Sequence, residues 1–369
     1  MKRLLSVVYF LAILLSVVFS IPAYAEMNFS GKRAIFDEGS GWATREGADR
    51  TLKRIKEAGF NVYIPCIWHG RGVKWPSSRL SRWDPDLAGR PIEDDDPLRF
   101  LIGRAHEMGI EIHPWFTVVL RQSDLLPELA SPGTPEDAFD VHDPRLHQLI
   151  ADLVAEVVAR YDVDGINLDY VRTMGLCASV SCKEAYKKKY GRDLTLDSIA
   201  FKLTPGRFPA LLEFQEQAVT SMVKTIAGRV RAINPRALIS VDAIPGVAGL
   251  DQGQNSIEWV NQGLVDVLFR MDYYRKINVE LTESLRTKLK NPDALSLIIS
   301  NVSVLEEMTP GQEHFSRDGK WLAETASMIQ ERWPRTGISV YFYKMLSEEQ
   351  ILALSRGPFR QPTNVKTRP

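Results

Sequence analysis

Between Arg33 and Tyr343 the sequence keeps repeating one unit: an amphipathic stretch, a Gly or Pro that breaks it, then a short apolar strand. The pattern predicts strands over 33–37, 61–68, 110–116, the stretch around 165–169, 237–243, 265–273, 295–302 and 337–343. Helices are expected between them, over 47–58, 97–107, 210–233, 256–262, 280–290 and 320–333. A further helix begins at Asp143, with Pro144 in its first position and Leu146, Leu149, Ile150, Leu153 and Val157 as its apolar stripe. No strong linker divides the series. The fold class is therefore α/β, a single (β/α)8 TIM barrel over 26–359 with enlarged loops at the carboxyl face. A doubly wound open sheet fits less well, because no glycine-rich phosphate turn follows the first strand.

The stretch from Asp162 to Arg172 locates the chemistry. Ile166 and Leu168 alternate with Asn167 and Asp169, giving one oily and one polar face. In a parallel barrel the oily side meets the helices, and Asp169 stands at the carboxyl rim, facing the axis. Asp242 repeats that register on the next strand, and Asp272 ends the one after. Several carboxylates around one axis are costly to bury unless they are paired, hydrogen-bonded or functional.

The chain has 369 residues, 44% hydrophobic and 25% charged, with zero formal net charge. Balanced charge gives no reason to expect nucleic acid or an acidic membrane surface as partner. At the amino end, Lys2 and Arg3 precede an apolar run, and Ala23-Tyr24-Ala25 has the form of a signal-peptidase site. Cleavage after Ala25 is expected, leaving 369 − 25 = 344 residues exported to the periplasm or beyond, with an uncleaved membrane anchor as the alternative. The tail over 360–369 is expected to be disordered. Export makes a Cys177–Cys182 disulfide plausible. A zinc site lacks ligands on this reading, since only two thiols cluster and no histidine lies near them in sequence. No metal or organic cofactor is implied.

Paired carboxylates across a glycosidic bond are what sugar-chain hydrolysis requires, one donating a proton and the other acting as nucleophile or base. Asp169, with Asp272 or Asp242, is the candidate set. The bland alternative is that these groups bond Arg172, Arg270 or backbone amides and organise loops. Asp37 is assigned to organising the first loop. Aromatic residues cluster near the same loops, and flat rings stack on sugar faces. Trp42, Trp68, Trp115, Tyr170, Tyr273 and Tyr341 are candidate substrate contacts, with Asn167, Arg172, His69 and His113 as polar ones. Ordinary packing accounts for several aromatics, Trp75 and Trp83 above all. A non-catalytic glycan-binding barrel is the first rival. A metal-dependent hydrolase using Asp37, His69 and His113 is the second, but it lacks a tight His-x-His cluster.

The pieces AGFNVYIPCIWHGRG, RAHEMGIEIHPWF, HDPRLHQLIADLVAEVVARYDVDGINLDYVR, VLFRMDYY and ISVYFYKMLSEEQILALSRGPF together resemble the glycosyl-hydrolase-like family ten, exported bacterial barrels of the glycosidase superfamily. The resemblance implies a polysaccharide substrate, with cell-wall glycan (peptidoglycan strands) foremost. It carries over Asp169, Tyr170 and Arg172 as a fourth-strand site motif, and Asp272 and Tyr273 as its sixth-strand companion. The same strand is similar to the chitinase signature, whose closing glutamate is replaced here by Val171. The seventh strand offers no terminal glutamate either, and Glu306 and Glu307 follow only in the next loop.

Overall fold

The computed structural model describes residues 28–88, 96–122, 124–204, 208–244, 247–303 and 315–360. The expected signal region, the tail beyond 360, and Glu306 and Glu307 lie outside the described residues.

The strands are β1 (Arg33–Asp37), β2 (Val62–Trp68), β3 (Glu111–Ile112), β4 (Trp115–Thr117), β5 (Gly165–Asp169), β6 (Leu238–Ala243), β7 (Val267–Asp272), β8 (Leu295–Ser300) and β9 (Gly337–Tyr341). All pairings among them are parallel, and β1 pairs with both β2 and β9, so the sheet closes on itself. β2 pairs with both β3 and β4, which are one stave broken at His113-Pro114. The third expected strand is therefore interrupted: Pro114 has no N–H to give the ladder. Eight staves remain, the architecture the repeat predicts.

Helices cover the outside because their caps and stripes are written locally. Asp143 accepts from Arg145 N at 2.8 Å and starts the helix Pro144–Arg160, whose Leu146, Ile150, Leu153 and Val157 are buried. This helix packs on Pro209–Ile233. The excursion after β5 holds two helices, Val180–Tyr190 and Leu194–Leu203, over a small core of Tyr186, Leu194, Leu211 and Phe214. Among the described residues no helix is long and apolar enough to cross a membrane.

Two apolar layers hold the barrel. The outer one lies between strands and helices and includes Ile35, Ile166, Leu168, Ile239, Val241, Leu297 and Val340. The inner one fills the ring with Ala34, Phe36, Val62, Ile64, Val267, Phe269 and Ile298. Burying one such large side chain contributes roughly 1.5–3 kcal/mol. Phe29 closes the amino end, with its ring 4.9 Å from Phe269 and 5.9 Å from His113. Gly165 is obligatory at that end, since a Cβ there would sit 2.6 Å from His113 Nδ1. The interior is thus a packed plug, and the candidate carboxylates lie at its carboxyl end.

Candidate active site

Alternation along each strand decides which side chains reach that end. On β5, Asn167 and Asp169 turn inward while Ile166 and Leu168 join the outer layer, as the period-two pattern predicts. On β6, Asp242 turns inward and lies beside them, its Oδ1 accepting from Asn167 Nδ2 at 2.9 Å. Asn167 Nδ2 also donates to Ser240 Oγ at 3.1 Å, so the amide bridges two strands.

Asp169 is 7% exposed and Asp242 2% exposed, and the two repel when both are ionised. Burial drives the Asp169 carboxyl up to about 6, opposed by the Arg172 guanidinium and by the Tyr170 N–H, which donates to Oδ1 at 2.6 Å. Glu38 adds to the upward push. Burial, then the Asp169 charge, raises Asp242 well above the usual carboxylate range, with Asn167 offsetting in part. Asp242 therefore holds its proton more tightly than Asp169 does. Trp115 Nε1 is buried without a hydrogen-bond partner of good geometry, yet the indole lies close enough to Asp169 to favour its charged form.

The turn after β5 places Tyr170 in the left-handed region at φ 51°. Its ring receives the Arg172 guanidinium at 4.4 Å, so both half-buried side chains lie at the rim beside Asp169. Tyr273 and Tyr341, from the ends of β7 and β9, stack at 5.4 Å between centroids. His69 bonds the Gln122 amide through Nδ1, and burial keeps its ring neutral by lowering its pKa.

The residue missed from sequence is Glu38. Ala34 and Phe36 face the barrel interior, and the same parity carries Glu38 to the rim one step past β1. Its Oε1 accepts from Tyr341 Oη at 2.5 Å. The buried Lys74 ammonium donates to the Glu38 and Gly39 carbonyls at 3.1 and 3.3 Å, which fixes the turn. Trp42 Nε1 adds a bond to Gly39 O at 3.1 Å. Asp37, assigned to organising this loop, accepts from Tyr63 Oη at 2.6 Å and from Gly39 N at 2.8 Å.

Four expectations are corrected. Asp272 does not face the axis: Val267 and Phe269 occupy the inner face of β7, with Met271 and Tyr273 packed alongside, so Asp272 points outward. There it pairs with Arg270 at 2.6 Å and accepts from Asn278 N at 3.0 Å. His113 does face the axis but lies at the barrel floor beside Phe29 and Gly165, far from the rim. Trp42 is fully buried and acts through the Gly39 turn instead of touching a ligand. Trp68 is also fully buried, stacked on Phe139 with planes 17° apart, because a register shift at the end of β2 turns it outward. The trio Asp37, His69 and His113 is therefore not gathered. Val171, at the position of the chitinase acid, is buried in the outer layer.

The sequence matches the model of the family described as glycosyl hydrolase-like 10 over residues 37–133 and 129–305. The chain belongs to this family. It is 25% identical over 264 residues to a protein of Escherichia coli strain K12 named glycosyl hydrolase DigH, covering 60% of this chain and 56% of that one. The chain thus spans little more than half the length of the curated relatives it matches. Among solved structures it is similar to the PgaB (BpsB) glycoside hydrolase domain from Bordetella bronchiseptica, with TM-score 0.59, 11% identity, and 88% and 95% of the two chains covered. A β-galactosidase from Marinomonas ef1 gives TM-score 0.60 at 10% identity, covering 88% of this chain and 58% of that one. At such identities these likenesses establish the barrel, and the family match establishes membership.

Proposed function

We propose that this protein is an exported glycoside hydrolase cutting the glycosidic bonds of a bacterial polysaccharide, cell-wall glycan strands foremost. The observation that carries the reading is Asp169: a carboxyl at the rim of a closed barrel with a pKa near 6, the value a proton donor needs near neutral pH. Asp169 protonates the glycosidic oxygen as the bond to the anomeric carbon breaks. Asp242, deeper and holding its proton more firmly, accepts from Asn167 beside the acid and is a positioning residue. The opposing carboxylate is Glu38. On the ring of staves, β1 lies four steps from β6 in either direction, so Glu38 stands across the mouth from the Asp169–Asp242 side. It serves as base for water or as nucleophile. Tyr273 and Tyr341 offer flat faces for a sugar ring, with Arg172 and Tyr170 beside the acid.

Family membership and a relative named glycosyl hydrolase support the reaction class. The family resemblance supports the cell-wall substrate, and the amino-terminal charge and apolar pattern supports export. The test is Asp169→Asn assayed on purified glycan strands, with new reducing ends measured beside a folding check by circular dichroism. Loss of about 10²–10⁴-fold in turnover is expected for a proton donor. Wild-type protein that binds glycan but releases no reducing ends would establish the glycan-binding alternative instead.

A further inference from the structure

The loop after β4 and the loop after β5 meet at four side chains that the glycosidic chemistry does not use: Asp140, His142, Cys177 and Cys182. One ligand-type atom from each lies within 4.8 Å of the others. Cys177 and Cys182 are joined as a disulfide. The sulfurs of both lie 3.9 Å from Asp140 Oδ1.

The oxidised cluster leaves its polar groups poorly served. Both ring nitrogens of His142 are buried with no hydrogen-bond partner, and the ring is stacked on Phe214 at 4.4 Å. Its Nδ1 stands 3.5 Å from Asp140 Oδ1. Asp140 takes a hydrogen bond from the His142 backbone N–H at 3.0 Å, but disulfide sulfurs have no proton to donate to it. Uncompensated buried imidazole and carboxylate groups are costly. Once the disulfide is reduced, a divalent cation at the centre would bind all four at once.

We propose that Asp140, His142, Cys177 and Cys182 form a zinc-class metal site when the cysteines are reduced, so that disulfide and metal are alternative staples for the same two loops. Two thiolates, an imidazole and a carboxylate make a four-ligand set that suits tetrahedral Zn²⁺. Ligand bonds of ~2.0–2.3 Å place tetrahedral ligand atoms roughly 3.3–3.8 Å apart, so the bonded sulfurs part on reduction while their 3.9 Å separations from Asp140 Oδ1 close slightly. The ligands come as Asp140-x-His142 on one loop and as Cys177-x₄-Cys182 spanning the other loop and the first turn of the helix Val180–Tyr190. The loops are already locked together, with Ala178 N donating to Gly133 O at 2.7 Å. At Gly133, φ is +96° and a Cβ would meet the Ala178 carbonyl carbon at 2.6 Å, which holds the two backbones in contact. A dithiol reductant supplies two electrons and two protons to the disulfide and becomes a disulfide itself. Zn²⁺ then displaces the two thiol protons as it binds.

The experiment expresses the chain in a reducing cytoplasm, so that the disulfide does not form, and measures metal per chain by mass spectrometry. Anaerobic Co²⁺ titration follows, with thiolate-to-cobalt charge transfer as the readout and Zn²⁺ as competitor. One equivalent is expected, with the band appearing on Co²⁺ and vanishing on Zn²⁺. His142→Ala and Asp140→Ala should each weaken binding at least about tenfold, since even groups behind metal ligands cost 10–100-fold. No stoichiometric metal in the folded reduced chain, or less than a tenfold loss in either variant, overturns the proposal and leaves an ordinary disulfide beside a His–Asp pair. This reading is independent of whether the barrel cleaves sugars.

Discussion

Tyr341 Oη donates to Glu38 Oε1 at 2.5 Å, joining the carboxyl ends of β9 and β1 across the seam where the barrel closes. The bond fixes a half-buried carboxylate at the rim, near enough to Asp169 to push its pKa up. It also ties one of the stacked tyrosines to the carboxyl rim.

Removing either partner separates orientation from chemistry. Glu38→Gln is expected to lower turnover by about 10²–10⁴-fold, as for loss of a base or nucleophile. Tyr341→Phe removes one hydrogen bond to a charged group, typically 1.5–3 kcal/mol, and should cost roughly 10–100-fold. Reducing-end assays on glycan strands compare the two. Equal and negligible effects would remove Glu38 from the reaction.

On the proposal that Asp169 is the proton donor, activity should fall as pH rises through about 6, where its carboxyl loses the proton. Asp242 holds its proton while Asp169 ionises, so Asp242→Asn keeps an acceptor for Asn167 and replaces one neutral group by another. The alkaline limb of kcat/KM near 6 should then stay in place, since burial and not an Asp242 charge raises Asp169. A pH–rate profile of both proteins decides it.

The same groups make stability depend on pH with a definite sign. A carboxyl whose folded pKa is raised binds more protons folded than unfolded, so stability falls as pH climbs from the ordinary value near 3.8 through about 6. For Asp169 alone the loss is on the order of 3 kcal/mol, and Asp242 extends it to higher pH. Urea midpoints for wild type and Asp242→Asn, taken at acid and neutral pH, should diverge as pH rises, with the variant the more stable at neutrality.

Asp272→Asn should behave differently from either site carboxylate. It leaves the buried Arg270 guanidinium without its 2.6 Å counter-ion, which typically costs 3–5 kcal/mol. Turnover of the folded fraction should stay near wild type. A large drop in kcat with unchanged thermal midpoint would return Asp272 to the catalytic set.

Much of the barrel was legible because its signals are local. Asp143-Pro144 starts a helix through one cap bond, and Ile166 with Leu168 marks the oily face of β5 without knowledge of anything else. Asp169 followed from the same parity. The errors arose where parity is ambiguous or distance matters. β7 is apolar at Val267, Phe269 and Met271 and mixed at Leu268, Arg270 and Asp272, so the rule that the oily side meets the helices misplaces it. Only the packing of Val267 and Phe269 inside the ring shows that Asp272 points out. Glu38 lies one residue past its strand and was overlooked beside Asp37, although Ala34 and Phe36 share its parity. His113 has the inward parity, but sequence does not say at which depth of the ring a short, broken strand begins.

The amino-acid order by itself determined the alternation of helix and strand, the closed parallel architecture and the inward-facing acid on β5. Those depend on periodicities of two and about 3.6 and on caps spanning three or four residues. Tertiary structure alone decided that the Asp169 charge raises Asp242, that Glu38 meets Tyr341 across 303 positions, and that His142 and Asp140 reach Cys177 and Cys182. Such meetings are set by ring closure and loop packing, which bring together residues whose local sequences carry no trace of one another.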